Sequence, residues 1–312
     1  MLSRVADSLY WLDRYMERTD AMIRVIRTNY VLSFDDGLNS FSSWRQLLNI
    51  FGYLPEEKLD QYEKDTSATM RFLVTDPANP NSLRSIISKA RENARGAQDH
   101  ITKEVWEQVN QVYHLVNHSS IEKKLNEETL KVIDQLTESI TLYYGVTAST
   151  MPRGNGWNFM NTGKFIERCL LTVDIARQHL GVIQYQLDET RDILYWRNLL
   201  LSLSGYELHL KTYRTRNHDW NVVDQVLFNP NFTRSVRYSL QKIRGYLEKI
   251  VEYNNPEGKE LLLNQFGRML SRIEYADMDQ VKIEQLEEFL RHTRSDMVNF
   301  HLLLGKSFFS YH

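Results

Sequence analysis

A long amphipathic helix occurs twice in this chain, 150 residues apart. In the first copy, buried-type side chains recur at alternating steps of four and three residues: Val5, Leu9, Leu12, Met16, Thr19, Ile23, Ile26 and Tyr30. Adding 150 to these numbers, from Leu9 onward, gives a second stripe: Phe159, Thr162, Ile166, Cys169, Val173, Ala176 and Leu180. This spacing is typical of the face that a helix buries against other helices. We therefore predict two equivalent core helices, the first starting at Ser3 as N-cap, running to about Ser33 and ending before Asp35.

Shorter motifs repeat in the same order behind the two helices. A Trp-Arg pair followed by Gly-Tyr occurs within residues 44–53 and again within residues 196–206. An Asn-Pro-Asn turn followed by a serine occurs at 79–82 and again at 229–235, where three extra residues separate the turn from the serine. Each long helix also carries an adjacent Glu-Arg pair. An internal duplication explains the shared order and similar spacing.

Helix breakers are scarce, with 6 prolines and 13 glycines among 312 residues. Scarce breakers favour long helices, and no segment shows the strict alternation of a half-buried strand. Further helices are predicted at 82–96 with Ser82 as N-cap, 102–118, 121–142 and 280–304. We predict an all-α protein, a multi-helix bundle formed by two sequence-related helical halves about a pseudo-twofold axis. The chain is then one domain, 1–312, with a first half 1–150 and a second half 151–312.

Charge and cysteine content narrow the classes of partner and compartment. The formal net charge is −2 without a block of like charge, so we expect no nucleic-acid partner. The sequence has no stretch of about 18 apolar residues and no N-terminal segment of the signal-peptide type, so we expect no membrane partner. The single cysteine, Cys169, cannot form an internal disulfide and suits a reducing compartment. The sequence therefore predicts a cytoplasmic protein.

The two Glu-Arg pairs form the main candidate polar cluster. Glu17 follows a residue of the apolar stripe, so its carboxylate lies at the margin of the core. Arg14 shares that face and is expected to reach Glu17, and Lys164 stands in the same relation to Glu167. In a structural interpretation, each glutamate pairs with arginines on facing helices and holds the halves in register. In a functional one, a polar cavity binds a substrate, peptide or phosphate. The cluster comprises Arg14, Glu17, Arg18, Lys164, Glu167 and Arg168.

Three further arginines are candidates for binding an anion. Arg91 and Arg95 lie four residues apart on one helix face and could grip a carboxylate or phosphate, although a solvated helix face explains them equally well. Arg153 lies in the glycine-rich segment 151–157, just before the second Glu-Arg helix. Glycines beside a helix N-terminus can form a nest of N–H groups that holds an anion. A plain loop with a helix cap is the favoured explanation of this segment.

Signals for a metal or a nucleophile are weak. A di-iron bundle would show Glu-x-x-His on two helices, and the sequence has none. His114 and His118, four apart on a predicted helix, are interpreted as surface residues. Cys169 falls on the buried stripe, as expected of a packed small side chain and not of a reactive thiolate. No Walker loop, serine-hydrolase elbow or dinucleotide fingerprint occurs. We predict no metal and no cofactor, and we assign no catalytic residue.

Several of these motifs together resemble a known family. The segment 11–18, which reads WLDRYMER, is similar to the opening signature of the Alpha-E proteins, a bacterial all-helical family named for its Glu-Arg motif. The pair at 167–168, the segment 91–95 and the Trp-Glu-x-x-Asn pattern at 106–110 resemble further family motifs. The resemblance covers essentially the full length. One departure is Asp13, which stands where the second half has the expected glycine, Gly163.

The resemblance implies a genomic setting and not a reaction. Alpha-E proteins are typically encoded beside, or fused to, circularly permuted ATP-grasp proteins, often with a transglutaminase-like protein nearby. It therefore implies a helical binding and assembly partner of an ATP-grasp ligase system that forms peptide or amide bonds. The transglutaminase-like protein is a further candidate partner.

Two other functions remain open. One is an enzyme in which Glu17 and Glu167 perform acid-base chemistry on a peptide or amide substrate, inside a cavity lined by arginines. The other is a purely structural scaffold or homo-oligomer assembled through exposed aromatic side chains.

Overall fold

The computed structural model describes residues 2–34, 44–187, 191–214, 218–276, 281 and 285–309. This described part contains α-helices and one short 3-10 helix, Gln98–His100, and it contains no β-strand. The prediction of an all-α protein is therefore confirmed.

Fifteen α-helices lie within the described residues. In chain order they are α1 (Ser3–Leu32), α2 (Trp44–Phe51), α3 (Glu56–Glu63), α4 (Thr66–Val74), α5 (Leu83–Gly96), α6 (Lys103–Val116), α7 (Ile121–Glu127), α8 (Thr129–Thr150), α9 (Asn155–Val182), α10 (Ile193–Ser202), α11 (Tyr206–Thr212), α12 (His218–Leu227), α13 (Val236–Asn254), α14 (Lys259–Glu274) and α15 (Leu286–Phe308). Within that part of the chain, no helix combines the length and the apolar character needed to cross a bilayer.

The two long helices α1 and α9 form the centre of the molecule. They run in the same direction, since Tyr10 lies against Gly163 and Arg14 against Glu167 farther along both helices. The predicted stripes face the core: every stripe residue is buried except Tyr30, which is half-buried. The approach is closest at Gly163, where an added Cβ would lie 2.2 Å from the backbone oxygen of Tyr10.

The remaining long helices surround this central pair. Helix α1 packs against α5 and α8, while α9 packs against α13 and α15. A further layer follows on each side, with α6 between α5 and α8, and α14 between α13 and α15. Helix α8 runs antiparallel to α1, because Tyr144 contacts Glu17 while Asp134 contacts Arg27. The charged residues between these two contacts therefore have fixed positions along the axis of the helix bundle.

Several helix starts follow the predicted capping chemistry. The hydroxyl of Ser82 accepts a hydrogen bond from the Ser85 amide, and that of Ser235 accepts one from the Tyr238 amide. Such a bond satisfies one of the backbone donors that a helix leaves open at its N-terminus. The first helix differs: Leu2 is its N-cap, and Ser3 is already helical. The Ser3 prediction is therefore wrong by one residue, because the Leu2 carbonyl already accepts the Val5 and Ala6 amides.

Two of the other predicted boundaries are wrong. The segment 121–142 is not one helix: α7 and α8 are separate, and Glu128 between them has non-helical angles (φ −137°, ψ 44°). No proline or glycine marks this break, so the sequence pattern does not reveal it. The helix predicted at 280–304 begins at Leu286 and ends at Phe308. Residues 280 and 282–284 lie outside the described part of the chain, as does Asp35.

Candidate functional site

The glutamate of the second Glu-Arg pair binds two arginines of the first helix. Glu167 on α9 accepts hydrogen bonds from Nε of Arg14 at 2.8 Å and Nε of Arg18 at 2.6 Å. Its carboxylate is fully buried between the two central helices. Arg18 also reaches Oδ1 of Asn81 at 3.1 Å, in the first Asn-Pro-Asn turn. One buried anion thereby ties α9 to α1 and to the loop before α5.

The glutamate of the first pair forms the reciprocal contact. Oε1 and Oε2 of Glu17 accept hydrogen bonds from Nε and Nη2 of Arg168 at 2.7 and 2.8 Å. Tyr144 on α8 donates its hydroxyl to the same carboxylate at 2.7 Å, and Nη1 of Arg234 lies 3.2 Å from Oε1. Arg168 also reaches the backbone oxygen of Thr233 at 3.3 Å. The two Glu-Arg pairs therefore bind each other across the α1–α9 interface.

The electrostatics keep both glutamates ionised. Burial by itself would raise the pKa of Glu167, but the guanidinium groups of Arg18 and Arg14 outweigh burial and lower it to about 2. Burial likewise opposes ionisation of Glu17, and Arg168 and Arg234 hold its pKa well below the usual range. A carboxylate with so low a pKa is a poor general base near neutral pH. The arrangement suits rigid ion pairing better than proton transfer.

Part of the predicted cluster is connected differently than expected. Arg14 pairs with Glu167 on the facing helix and not with Glu17 on its own helix, so that expectation is wrong. A bond across the interface gives Glu167 the partner that a buried carboxylate needs. Lys164 shows no ion pair with Glu167; its Nζ lies 3.8 Å from the centre of the Tyr144 ring. The prediction that each glutamate pairs with arginines on a facing helix is confirmed.

Asp13, the departure from the family pattern, is a buried acid of the opposite character. Its carboxylate accepts a hydrogen bond from the hydroxyl of Tyr143 on α8. Burial raises the pKa of Asp13 to about 6, although nearby Lys164 and the Tyr143 hydroxyl oppose that rise. The carboxyl is therefore partly protonated at mildly acidic pH.

Sequence reasoning missed several members of the site: Tyr144, Arg234, Asp20, Asn81 and Arg24. Arg234 lies among the three residues by which the second turn-to-serine segment exceeds the first. That difference in spacing was a signal that could have singled it out. Arg234 binds Glu17 and also Asp20 at 2.9 Å, and Asp20 in turn pairs with Arg24. The ion-pair network thereby continues from the interface to the surface.

An open cleft of about 580 Å³ lies where this network reaches the surface. It runs between α1 and α8, and its third wall is formed by residues preceding α11 and α13. The lining residues are Asp20, Ile23, Arg24, Arg27, Asp134, Thr137, Glu138, Ile140, Thr141, Ser204 and Arg234. Arginines, carboxylates and hydroxyls make the lining of the cleft polar, and its volume lies within the usual range of ligand sites.

The three candidate anion-binding arginines do not share a site. Nε of Arg91 donates to Oδ1 of Asn110 at 2.6 Å, and its guanidinium lies 4.5 Å from the centre of the Tyr113 ring. Arg95 pairs with Glu92 on an exposed helix face. Arg153 donates to backbone oxygens near the end of α8 and stacks on the Trp157 ring. These contacts favour packing, surface and capping roles over anion binding.

The remaining candidates have ordinary environments. Cys169 is fully buried, and burial raises the pKa of its thiol to about 12. His114 and His118 are both exposed, but α6 ends at Val116, so they do not share a helix. His118 instead bonds the hydroxyl of Ser120 at 2.8 Å. Among the residues that the structure describes, no group of three His, Cys, Asp or Glu side chains is placed to hold a metal ion.

Comparison with known proteins gives one family and three relatives. The model of the Alpha-E family, described as a predicted alpha-helical domain with a conserved ER motif, matches residues 1–309. The chain is similar to the uncharacterized proteins Mb2597 of Mycobacterium bovis and MT2643 and Rv2567 of Mycobacterium tuberculosis, at 22% identity over 307 residues. Each alignment covers 91% of this chain but 34% of the relative, so the chain spans about a third of their length. No solved structure matches. Because the family match extends over nearly the whole sequence, the chain belongs to the Alpha-E family.

Proposed function

We propose that the chain is one domain, 1–312, built from a first half 1–150 and a second half 151–312 about a pseudo-twofold axis between α1 and α9. The support is the reciprocity of the contacts. Each Glu-Arg pair binds the other, and the arginine of each pair also contacts the turn-to-serine segment of its own half, Arg18 at Asn81 and Arg168 at Thr233. The flanking helices also correspond in order, with α5, α6 and α8 around α1, and α13, α14 and α15 around α9.

For this two-half domain, we propose that the protein is a binding and assembly partner of a circularly permuted ATP-grasp ligase that forms peptide or amide bonds. A transglutaminase-like protein is a second candidate partner, and the single cysteine suits a cytoplasmic complex. The observation that carries the proposal is the mutual pairing of Glu17 with Arg168 and Glu167 with Arg14. These ion pairs hold the charged side chains of both Glu-Arg motifs inside a rigid core. Recognition of a partner protein is then left to the polar surface around that core.

The length of the relatives is a second argument for assembly. In the mycobacterial proteins the matched region makes up 34% of a longer chain. A unit that lies within a longer chain is placed to act together with the other segments of that chain. This arrangement fits a partner-binding role better than a self-contained enzyme.

The enzymatic alternative, acid-base chemistry by Glu17 and Glu167 on a peptide or amide, has less support. Both carboxylates are buried and held ionised by arginines. The interface between α1 and α9 is occupied by these contacts, and the cleft nearby reaches the pairs only through Arg234 and Asp20. A substrate atom would have to displace an arginine before it could meet either glutamate.

The proposal is tested by co-expressing the tagged chain with a circularly permuted ATP-grasp protein from the same genome. We expect the two to co-purify at a fixed stoichiometry and amide-forming turnover to rise when the chain is added back. The matched control is the same chain carrying Glu17→Gln and Glu167→Gln, compared at a temperature at which it remains folded. Emergence of the tagged chain alone, with ligase turnover unaffected by its addition, would refute the assembly role.

A further inference from the structure

The walls of the α1–α8 cleft carry opposite net charge. On the inner wall, Arg24 and Arg234 share one carboxylate, Asp20, and Arg234 shares Glu17 with Arg168. Three guanidinium groups are therefore balanced by two carboxylates. Burial and the neighbouring Arg234 lower the pKa of Arg24 to about 10, as expected where positive charge is incompletely compensated.

The opposite wall, on α8, has an excess of negative charge. Asp134 is paired with Arg27 at 2.8 Å. Glu138, one helical turn farther along, is exposed into the cleft and has no ion pair or hydrogen bond with any residue of the described chain. Thr137 and Thr141 lie beside it on the same wall. A cation entering the cleft would find its partner at Glu138.

The inner wall also retains donors for an anion. A guanidinium has five N–H groups in a planar fork. In Arg24, the contacts of Nη1 with the Ser202 oxygen and of Nη2 with Asp20 use the outer nitrogens. In Arg234, Nη1 and Nη2 contact Glu17 and Asp20. The two side chains therefore retain N–H groups that these contacts do not use, and both line the cleft together with Ser204, so that together they could bind a carboxylate.

From these features we propose that the cleft binds a short peptide or amino acid as a zwitterion. The ligand carboxylate lies against Arg24 and Arg234, and its ammonium group lies against Glu138. The lining segments, Asp20 to Arg27 on α1 and Asp134 to Thr141 on α8, each span about 10 Å at the helical rise per residue. An extended peptide of about three residues has this length. The choice of a peptide as the ligand rests on the proposed function. The bound peptide would be the substrate of the ligase or the acceptor in its reaction.

Direct binding to the isolated chain tests the site without the ligase. Triglycine, its C-terminal amide, its N-acetyl derivative and inorganic phosphate are titrated into the full chain and followed by calorimetry and amide NMR shifts. We expect triglycine to bind, and each blocked peptide to bind at least about tenfold more weakly, because each lacks one of the two charges. The shifted amides should cluster on α1 and α8.

Two variants assign the charges. Glu138→Gln should remove the difference between triglycine and its N-acetyl form while keeping the preference for a free carboxylate. Its control is Glu104→Gln, an equally exposed glutamate on α6, which should change nothing. Arg24→Gln should remove the preference for the free carboxylate. Because this substitution also breaks a buried ion pair, the decisive comparison is the one made at the exposed Glu138.

The outcomes separate the two proposals. Any of three results would overturn the peptide site. They are equal affinity for free and blocked peptides, absence of binding, and displacement of the peptides by phosphate whether their amino end is free or blocked. Co-purification with the ATP-grasp protein would then still support the assembly role. Peptide binding by a chain that never associates with the ligase would leave the site standing and overturn the proposed function.

Discussion

Glu17 on α1 and Arg168 on α9 face each other through two parallel hydrogen bonds, Nε to Oε1 at 2.7 Å and Nη2 to Oε2 at 2.8 Å. The carboxylate is fully buried, and only 11% of the arginine side chain is exposed. Taking both charges out of water is costly, and the pair persists because Arg168, Arg234 and Tyr144 all donate to the carboxylate. Removing one partner leaves the other charge buried without compensation.

We therefore expect Glu17→Gln to destabilise the protein by about 3 kcal/mol or more, the usual cost of breaking a buried pair. Urea unfolding at pH 7 measures the change in free energy. The matched control is Glu92→Gln, which breaks the exposed pair with Arg95 and should cost about 0.5 kcal/mol or less. Equal losses in the two variants would mean that burial of Glu17 does not matter for stability.

The pKa of Glu167 predicts how stability depends on acid. Its folded pKa, about 2, lies below the ordinary value of 4.5 because Arg18 and Arg14 outweigh burial. A lowered folded pKa contributes stability above the unfolded pKa, and this contribution is lost as pH falls toward 2. It amounts to about 3 kcal/mol.

Unfolding free energies of the native chain and of Glu167→Gln, measured from pH 7 to pH 2.5, give this contribution as their difference. We expect the difference to be constant above about pH 5.5 and to shrink steadily below pH 4.5. Glu92→Gln, which removes a carboxylate of an exposed pair, again serves as the control. A difference that stays flat across the acidic range would contradict the ionised pairing of Glu167.

Asp13 is expected to titrate with the opposite sign. Burial raises its folded pKa to about 6. The group therefore favours the folded state below its unfolded pKa, and that advantage is lost as pH rises from about 4 to 6. Asp13→Asn keeps an acceptor for the Tyr143 hydroxyl and cannot ionise. Relative to the native chain, we expect the variant to gain about 3 kcal/mol between pH 3.5 and pH 7, measured by urea unfolding at each pH. A constant difference would show that folding does not raise the pKa of Asp13.

Local features of the fold could be predicted from the sequence because they depend on nearby residues. The step pattern of α1 and α9 identified their buried faces, and Ser82 was recognisable as a cap from its position after Pro80. The break at Glu128 was not recognisable, because no proline or glycine marks it and the apolar period continues across it.

Partner choice in the site depended on tertiary geometry. Spacing placed Arg14 within reach of Glu17, but the parallel packing of α1 on α9 gave it Glu167. Tyr144 and Arg234 enter the site from α8 and from the loop before α13, more than a hundred residues from Glu17. No local pattern connects such positions. The cleft between α1 and α8 could not be predicted for the same reason.

The close approach of the central helices makes Gly163 sensitive to any side chain. A Cβ there would lie 2.2 Å from the backbone oxygen of Tyr10, so one of the helices must shift. We expect Gly163→Ala to destabilise by about 2 kcal/mol, in the range of overpacked cores. Gly145→Ala in α8 is the control: nothing lies within 4 Å of its Cβ, and alanine should stabilise the helix by about 0.5–1 kcal/mol. Thermal unfolding distinguishes these opposite signs, and a neutral Gly163→Ala would contradict the packing.

Cys169 offers a direct measure of opening at the α1–α9 interface. The thiol is fully buried one residue after Arg168, and burial raises its pKa to about 12, so the folded state should not react with Ellman's reagent. Labelling then proceeds only from opened molecules, at a rate proportional to their population when reclosing is fast. Because Glu17→Gln costs about 3 kcal/mol, it should speed labelling roughly a hundredfold, while Glu92→Gln should change the rate by about twofold or less. Rapid labelling of the native chain, or equal rates in both variants, would mean that the reciprocal ion pairs do not hold the two central helices together.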